Sequence, residues 1–116
     1  MKYRKNRKLG RTSAHRIATL RNMSTSLFEN ESVKTTLAKA KEVSKFASRL
    51  ITKAKKGGLA NRRAVDRDIK NSEVIAKLFG PLAERFKERK GGYTRIYRIG
   101  TRISDGSSMA ILKLVE

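Results

Sequence analysis

Basic side chains recur at every fourth position in the middle of the chain. The row begins at Lys41 and continues through Lys45, Arg49 and Lys53, and Lys56 follows three residues later. Residues four apart lie on one face of a helix, so these charges would form a single row along its axis. Because like charges at this spacing repel each other, an external anion is their natural complement. The row therefore predicts contact with phosphate groups, and a merely solvated face is the alternative interpretation.

The first 12 residues are the most densely basic segment of the chain. They contain no acid, and their sizeable apolar groups are Tyr3 and Leu9, so the segment cannot pack a core of its own. We predict that it is a nucleic-acid-binding arm that orders on binding, and a solvated flexible tail is the alternative. The cations of this arm are Lys2, Arg4, Lys5, Arg7, Lys8 and Arg11.

The overall charge also requires an anionic partner. The chain has 116 residues, with 29 Lys and Arg against 10 Asp and Glu, and a formal net charge of +19. Self-repulsion on this scale persists where a polyanion supplies the missing charge, which leaves nucleic acid, an anionic membrane or an acidic protein. Hydrophobic residues make up 38%, enough for a modest core, and the length predicts a single domain.

Residues for catalysis or metal binding are scarce. There is no cysteine and one histidine, His15, so a metal site is not expected. The chain contains neither the G-x-S-x-G of serine hydrolases nor a glycine-rich nucleotide loop, and its acids are scattered. We therefore expect no enzymatic activity, no metal, no cofactor and no small-molecule substrate. The lack of cysteine, of a signal peptide and of a membrane-spanning run favours the cytosol.

A central helix over residues 37–56 must position the basic row. Apolar residues recur there with a 3.6-residue period on the side opposite the row. We expect this stripe to face the core, and Gly57 with Gly58 to end the helix. A membrane partner is disfavoured because the stripe is rich in alanine and lacks tryptophan. The stripe comprises Ala40, Val43, Ala47, Leu50, Ile51 and Ala54.

The remaining elements surround this helix. We predict helices over residues 13–28 and 59–67, and a fourth from Asn71 or Ser72 to Phe86 that Pro81 kinks or splits. Residues 32–36, 93–99 and 109–115 are predicted strands. The first is expected at a sheet edge and the last at the centre, and the second, half-buried, forms a hairpin with the last.

The predicted third helix contains a local conflict. A cap at Asn61 would place Arg62 and Arg63 in the first turn, where the helix dipole disfavours cations. Such a conflict indicates a functional role. The linking sequence KKGGLANRR is also compatible with a helix-turn-helix, so a DNA-binding module is the alternative function at this point.

Specific blocks of sequence run along almost the whole chain. The most distinctive are VKTTLAKAKE from Val33, LITKAK from Leu50, GGYTRI from Gly91 and MAILKL from Met109. Shorter blocks are Gly10-Arg11, His15-Arg16, LRN from Leu20, NRR from Asn61 and KLF from Lys77. In this order they resemble the family of the seventeenth protein of the bacterial large ribosomal subunit.

The resemblance implies a two-layer α/β fold, with about four helices packed on a small three-stranded mixed sheet and a basic N-terminal arm. It implies a structural role in the cytoplasmic ribosome, bound to large-subunit ribosomal RNA near the outer mouth of the peptide exit tunnel, beside neighbouring large-subunit ribosomal proteins. The chain departs from the family at Thr19, where methionine is usual and polarity is added. It also departs at Lys113, where an acid is frequent, which puts any contact of that acid in doubt.

We therefore predict one RNA-binding arm, residues 1–12, and one α/β domain, residues 13–116. The arm would neutralise phosphates, while Tyr3 and His15 stack on unpaired bases or pack against sugars. The domain would contact backbone phosphates, which fixes position without reading much sequence. A free-standing basic DNA-binding protein is the alternative. The predicted RNA-contacting residues of the domain are His15, Arg16, Lys41, Lys45, Arg49, Lys53, Arg62, Arg63, Tyr93 and Arg95.

Overall fold

The computed structural model describes residues 13–116. Helices form one layer and a small sheet forms the other, as predicted. The bounds agree closely with the predicted ones for the first two helices and the first strand, and the last strand is shifted by one residue. The elements are α1 (Ser13–Asn30), β1 (Ser32–Thr36), α2 (Leu37–Lys56), α3 (Leu59–Asp68), α4 (Ser72–Lys77), a π-helical turn (Leu78–Leu82), α5 (Ala83–Arg85), β2 (Thr94–Thr101) and β3 (Ser108–Leu114).

The sheet has the strand order β1-β3-β2, with β3 in the centre and β1 at an edge. Both predictions of strand position are confirmed. Both pairings are antiparallel, so the mixed sheet implied by the resemblance is wrong. The physical reason is connectivity: β2 and β3 form a hairpin, and β1 enters the sheet on the other side of β3 without a parallel crossover. A register shift between Arg98 and Gly100 interrupts the hairpin ladder.

Helix α2 is the central element of the fold and contacts all three strands. Its first turn is capped by Thr36, whose side chain accepts a hydrogen bond from the Lys39 N–H at 3.3 Å. Its end is set by Gly57 and Gly58, whose φ angles of 67° and 88° favour glycine. The predicted apolar stripe is confirmed, because all six of its residues are buried: Ala40, Val43, Ala47, Leu50, Ile51 and Ala54.

Helix α3 begins before the predicted cap. Gly58 occupies the N-cap position without a side-chain hydrogen bond, and Asn61 lies inside the helix, where it donates to the Gly57 carbonyl at 2.7 Å. The predicted cap at Asn61 is therefore wrong. Arg62 and Arg63 are the fourth and fifth helical residues, past the start of the helix, so their conflict with the helix dipole is weaker than predicted.

Pro81 splits the last helical segment, as predicted. Asn71 caps α4 by accepting hydrogen bonds from the N–H groups of Glu73 and Val74. Around Pro81, which lacks an N–H and would clash with the preceding turn, the helix widens into the π-helical turn. The helix then resumes as α5, and Leu78, Leu82 and Phe86 stay on the buried side.

The core lies between the helices and one face of the sheet. In β3, Ala110, Leu112 and Leu114 are buried while the intervening residues face outward. Strand β2 is less buried than predicted: it is exposed from Tyr97 to its end, because no described helix covers its outer face or its distal half. The outer face of the sheet is thus a surface of the molecule.

Candidate nucleic-acid interface

The basic row of α2 lies on the face directed away from the core. We call Lys41, Lys45, Arg49, Lys53 and Lys56 the α2 row. Three of these side chains are exposed and two are half-buried. Among residues 13–116, no acid forms an ion pair with any member of the α2 row. The repulsion within the row is therefore not relieved by the described part of the chain.

A shallow groove of about 350 Å³ runs beside the α2 row. Residues of α2, including Arg49, Lys53 and Lys56, line one wall, and Gly91 with Tyr93 lines the other. The cations are held on a rigid helix whose opposite side is buried, so their spacing is fixed before a ligand arrives. The geometry fits an extended anion such as a nucleic-acid backbone lying along the helix.

Tyr93 is buried where the groove beside the α2 row meets the core. Its side chain is 2% exposed, and its ring packs against Phe86 with a centroid distance of 5.2 Å. Its hydroxyl accepts a 3.0 Å hydrogen bond from Lys55 and shares one of 3.2 Å with Thr52. Burial raises the pKa of Tyr93, but these hydrogen bonds outweigh it and the pKa lies below its ordinary value. Tyr93 thus has a structural role in the core, and its predicted RNA contact stays a prediction.

Arg62 and Arg63 are exposed on α3, which follows the C-terminal end of the α2 row after the two glycines. The Arg62 guanidinium lies 5.2 Å from the ring centroid of Phe79, a cation–π contact that orients it. Neither arginine forms an ion pair with a residue of the described range. The structure thus places both residues on the same helical layer as the α2 row.

Arg16 and His15 differ in their surroundings although they are adjacent. The Arg16 guanidinium contacts the Glu42 carboxylate at 2.9 Å, and the two side chains are 16% and 3% exposed. Arg16 is therefore engaged inside the protein, and its predicted RNA contact stays a prediction. His15 is exposed on α1.

Several other cations are also bound by acids of the chain. The hydrogen bonds from Arg85 lower the pKa of Glu31 below its ordinary value, and Lys77 contributes to the same shift. These pairs leave less charge for an external anion on that side of the molecule. The described ion pairs besides the one of Arg16 are Arg21 with Asp68, Lys77 and Arg85 with Glu31, and Arg102 with Asp105.

Arg95 is exposed, but it lies on the outer face of the sheet and not beside the α2 row. Its cross-strand neighbour is Lys113, and Tyr97 follows two residues along the same strand. Sequence reasoning did not single out Lys113 and Tyr97, which the structure places beside Arg95 on this face. The alternation of residues 93–99 was a signal for them, but it did not indicate which face of the sheet is uncovered.

The arm predicted to bind nucleic acid lies outside the described residues. The predictions for Lys2, Tyr3, Arg4, Lys5, Arg7, Lys8 and Arg11 therefore remain predictions. Within residues 13–116, no helix is both long enough and apolar enough to cross a bilayer. In the same range, His, Asp and Glu side chains do not gather in groups of three that could hold a metal ion.

Comparison with known proteins identifies close relatives. Residues 19–115 match the family described as Ribosomal protein L17. A relative from Myxococcus xanthus, named Large ribosomal subunit protein bL17, is 51% identical over 110 residues, which cover 95% of this chain and 79% of that protein. Proteins of the same name from Zymomonas mobilis and Desulfotalea psychrophila are 52% and 53% identical, over 95% and 94% of this chain and 79% and 84% of their own lengths.

Proposed function

The chain belongs to the ribosomal protein L17 family, and we propose that it binds large-subunit ribosomal RNA as a structural constituent of the bacterial large ribosomal subunit. The names of its relatives support the assignment to that subunit. In this role it acts in the cytoplasm within the ribosome. It is a structural protein of a particle and not an enzyme.

The observation that carries RNA binding is the α2 row. Five cations lie along one helix face without an acidic partner in the described range, on a protein of formal net charge +19. RNA phosphates would supply the missing charge and release bound counterions. Contacts of this kind fix the position of the protein, while the shape of the folded RNA supplies specificity.

The chain divides in this proposal into an RNA-binding arm, residues 1–12, and the α/β domain of residues 13–116. The arm carries six cations and no acid, so it contributes a large share of the phosphate contacts. Deleting it should weaken binding to large-subunit RNA steeply and leave the helical circular dichroism of the domain almost unchanged. Loss of the helical signal on deletion would show that the arm is part of the folded domain instead.

The finer location is part of the same proposal. The resemblance to the family supports a position near the outer mouth of the peptide exit tunnel, beside neighbouring large-subunit ribosomal proteins. Crosslinking of the protein within assembled subunits, followed by mass spectrometry, should join it to proteins that surround the tunnel exit. Crosslinks confined to proteins of the subunit interface would contradict this location.

Separation of a cell lysate on a sucrose gradient tests the function as a whole. We expect the chain to comigrate with the large subunit in near-stoichiometric amount at moderate salt, and to remain there after treatment with DNase. Sedimentation with DNA, lost after DNase, would support the alternative of a free-standing DNA-binding protein. Recovery in the soluble pool alone would contradict both functions.

A further inference from the structure

The outer face of the sheet is a second surface with the properties of a binding site. Residues Lys34 of β1, Ile111 and Lys113 of β3, and Arg95 and Tyr97 of β2 point away from the core. We call these five residues the outer sheet face. The core-facing neighbours of the same strands, such as Leu112, are buried, whereas Lys34, Arg95, Tyr97 and Lys113 are exposed.

Two rows cross the outer sheet face. Lys34 pairs with Ile111, which pairs with Tyr97, so a cation and an aromatic ring flank an apolar side chain. One step along the strands, Lys113 pairs directly with Arg95. Neighbouring strands lie about 5 Å apart, so both rows fall within the reach of a single nucleotide and its flanking phosphates.

The pair of Arg95 and Lys113 places two like charges directly opposite each other. Such a pair destabilises a sheet unless an anion lies between the charges. Neither side chain forms an ion pair with a residue of the described range. A cleft of about 250 Å³ opens at this point, lined by both cations, Tyr97 and Arg89, with Glu116 as its one acidic residue. The cleft is thus suited to a phosphate group.

Tyr97 gives the same face an exposed aromatic ring. Its side chain is 51% exposed although it lies on a regular strand, where its backbone is fixed by pairing with β3. An aromatic ring held on a rigid strand loses little entropy when it stacks on a base, and such stacking tolerates any base. Cations beside the ring then hold the backbone of the stacked nucleotide.

We propose that the outer sheet face binds an unpaired RNA nucleotide, whose base stacks on Tyr97 and whose phosphate lies between Arg95 and Lys113. Lys34 contacts the adjoining backbone from β1. This site rests on the proposed function, because it names a second RNA contact of the same ribosomal protein. It is distinct from the α2 row, which contacts backbone phosphates without stacking on a base.

Charge decides between the possible occupants of this face. The helices of the described range pack on the opposite side of the sheet, so none of them covers it. The remaining segment of the chain, residues 1–12, carries six cations and no acid, and would add to the repulsion between Arg95 and Lys113. RNA supplies both the phosphate and the base that this arrangement of side chains fits.

A tryptophan probe tests stacking directly. The chain contains no tryptophan, so Tyr97→Trp in the full-length protein introduces a single reporter on the outer sheet face. Titration with a short single-stranded oligoadenylate should quench its fluorescence, because the base stacks on the indole. A blunt-ended duplex RNA with the same number of phosphates should quench it little, because all of its bases are paired. Equal quenching by both, or by neither, would overturn the stacking proposal.

Charge reversal at Lys113 provides the second test. Lys113→Glu should raise the melting temperature, since the introduced carboxylate pairs with Arg95, and should weaken binding to single-stranded RNA about tenfold. A merely structural perturbation would not move stability and affinity in opposite directions. If Lys113→Glu binds single-stranded RNA as tightly as the parent, the proposed RNA site is wrong. It is also wrong if the outer sheet face of the parent protein binds an acidic protein tightly and does not bind RNA.

Neutralisation of the α2 row separates this inference from the proposed function. The row variant combines Lys45→Gln, Arg49→Gln and Lys53→Gln, and it is made in the protein that carries the Tyr97→Trp probe. It should bind both RNAs more weakly. At saturating RNA, the single strand should still quench the tryptophan and the duplex should not. If the α2 row variant binds like the parent while Lys113→Glu does not, the proposed function fails at α2 and the sheet site stands. If the reverse holds, the sheet site fails alone.

Discussion

Two arginines of α1 form ion pairs with acids of the same chain, whereas the basic side chains on the outward face of α2 form none within residues 13–116. Arg16 contacts the buried Glu42 at 2.9 Å, and Arg21 contacts Asp68 at 2.8 Å. The five cations of the α2 row have no such partner within residues 13–116. The same residue types thus stabilise the fold in one region and remain available for an external anion in the other.

The difference teaches that composition alone does not locate a binding surface. A cation contributes to RNA binding when its charge is not already satisfied and its side chain is exposed. A cation paired with a buried carboxylate contributes to stability, because it offsets part of the cost of burying that charge. Substitutions in the α2 row should therefore lower RNA affinity, whereas substitutions of the paired arginines should lower stability.

Neutralising the α2 row should have the largest effect on RNA binding. Lys45→Gln, Arg49→Gln and Lys53→Gln together remove three charged hydrogen bonds of about 1 kcal/mol or more each, so affinity for large-subunit RNA should fall about 100-fold or more. Fluorescence anisotropy at fixed salt measures the change. The matched control is Lys70→Gln, Lys87→Gln and Lys90→Gln, which removes the same charge from exposed positions off the row. Equal losses in both triple variants would mean that total charge, and not the row, determines binding.

Removing Arg16 should have the largest effect on stability. Arg16→Met removes the 2.9 Å ion pair with the Glu42 carboxylate, which is 3% exposed, and this should lower the free energy of unfolding by about 3 kcal/mol. Urea denaturation followed by circular dichroism measures the loss. Arg49→Met is the matched control, because the same substitution on the exposed α2 row should change stability by less than about 0.5 kcal/mol. Similar stability in both variants would contradict the division between paired and unpaired cations.

Removing the hydroxyl of Tyr93 should have a smaller effect, and on stability alone. Tyr93→Phe deletes the hydrogen bonds with Lys55 and Thr52 but keeps the ring contact with Phe86. The free energy of unfolding should therefore fall by about 1 kcal/mol. Thermal denaturation and RNA titration of the same sample measure both quantities. A loss of RNA affinity at unchanged stability would contradict this expectation and support the RNA contact predicted for Tyr93.

The smallest expected effect is the pH dependence at Glu31. Since the pKa of Glu31 is lowered in the folded state, its pairing with Arg85 stabilises the fold above the ordinary carboxyl pKa of 4.5. This contribution is lost as the pH falls below 4.5 through the lowered pKa. The side chain is 37% exposed, so solvent screening limits the contribution to about 0.5 kcal/mol.

Comparison with a variant that cannot titrate isolates this contribution. At neutral pH the parent protein should have a higher melting temperature than Glu31→Gln, and this difference should shrink under acidic conditions. A constant difference between the parent and Glu31→Gln at all pH values would contradict the lowered pKa.

The sequence predicted α2 almost completely because its information is local. The 3.6-residue period separates the buried stripe from the basic row, and Gly57 with Gly58 marks the end, so no distant contact was needed. The start of α3 was missed for a local reason as well. Gly58 serves as N-cap without a side-chain hydrogen bond, and a polar side chain such as that of Asn61 was the stronger signal in the sequence.

The features that the sequence did not predict depend on contacts between residues that are far apart in the chain. Arg16 and Glu42 are 26 positions apart, so their pairing required the packing of α1 on α2. The role of Tyr93 depends on Lys55 and Phe86, which come from two other segments. The strand alternation around Arg95 was visible in the sequence, but the uncovered face of the sheet follows from where the helices pack.

The salt dependence of RNA affinity tests the central claim most directly. We would measure the slope of log affinity against log salt for the full chain and for the α2 row triple variant, on the same large-subunit RNA fragment. Loss of three phosphate contacts should make the slope shallower by about 2 to 3, and the matched control should keep the slope of the parent. An α2 row variant with the same slope as the parent would show that these cations do not contact phosphates, and would contradict the account.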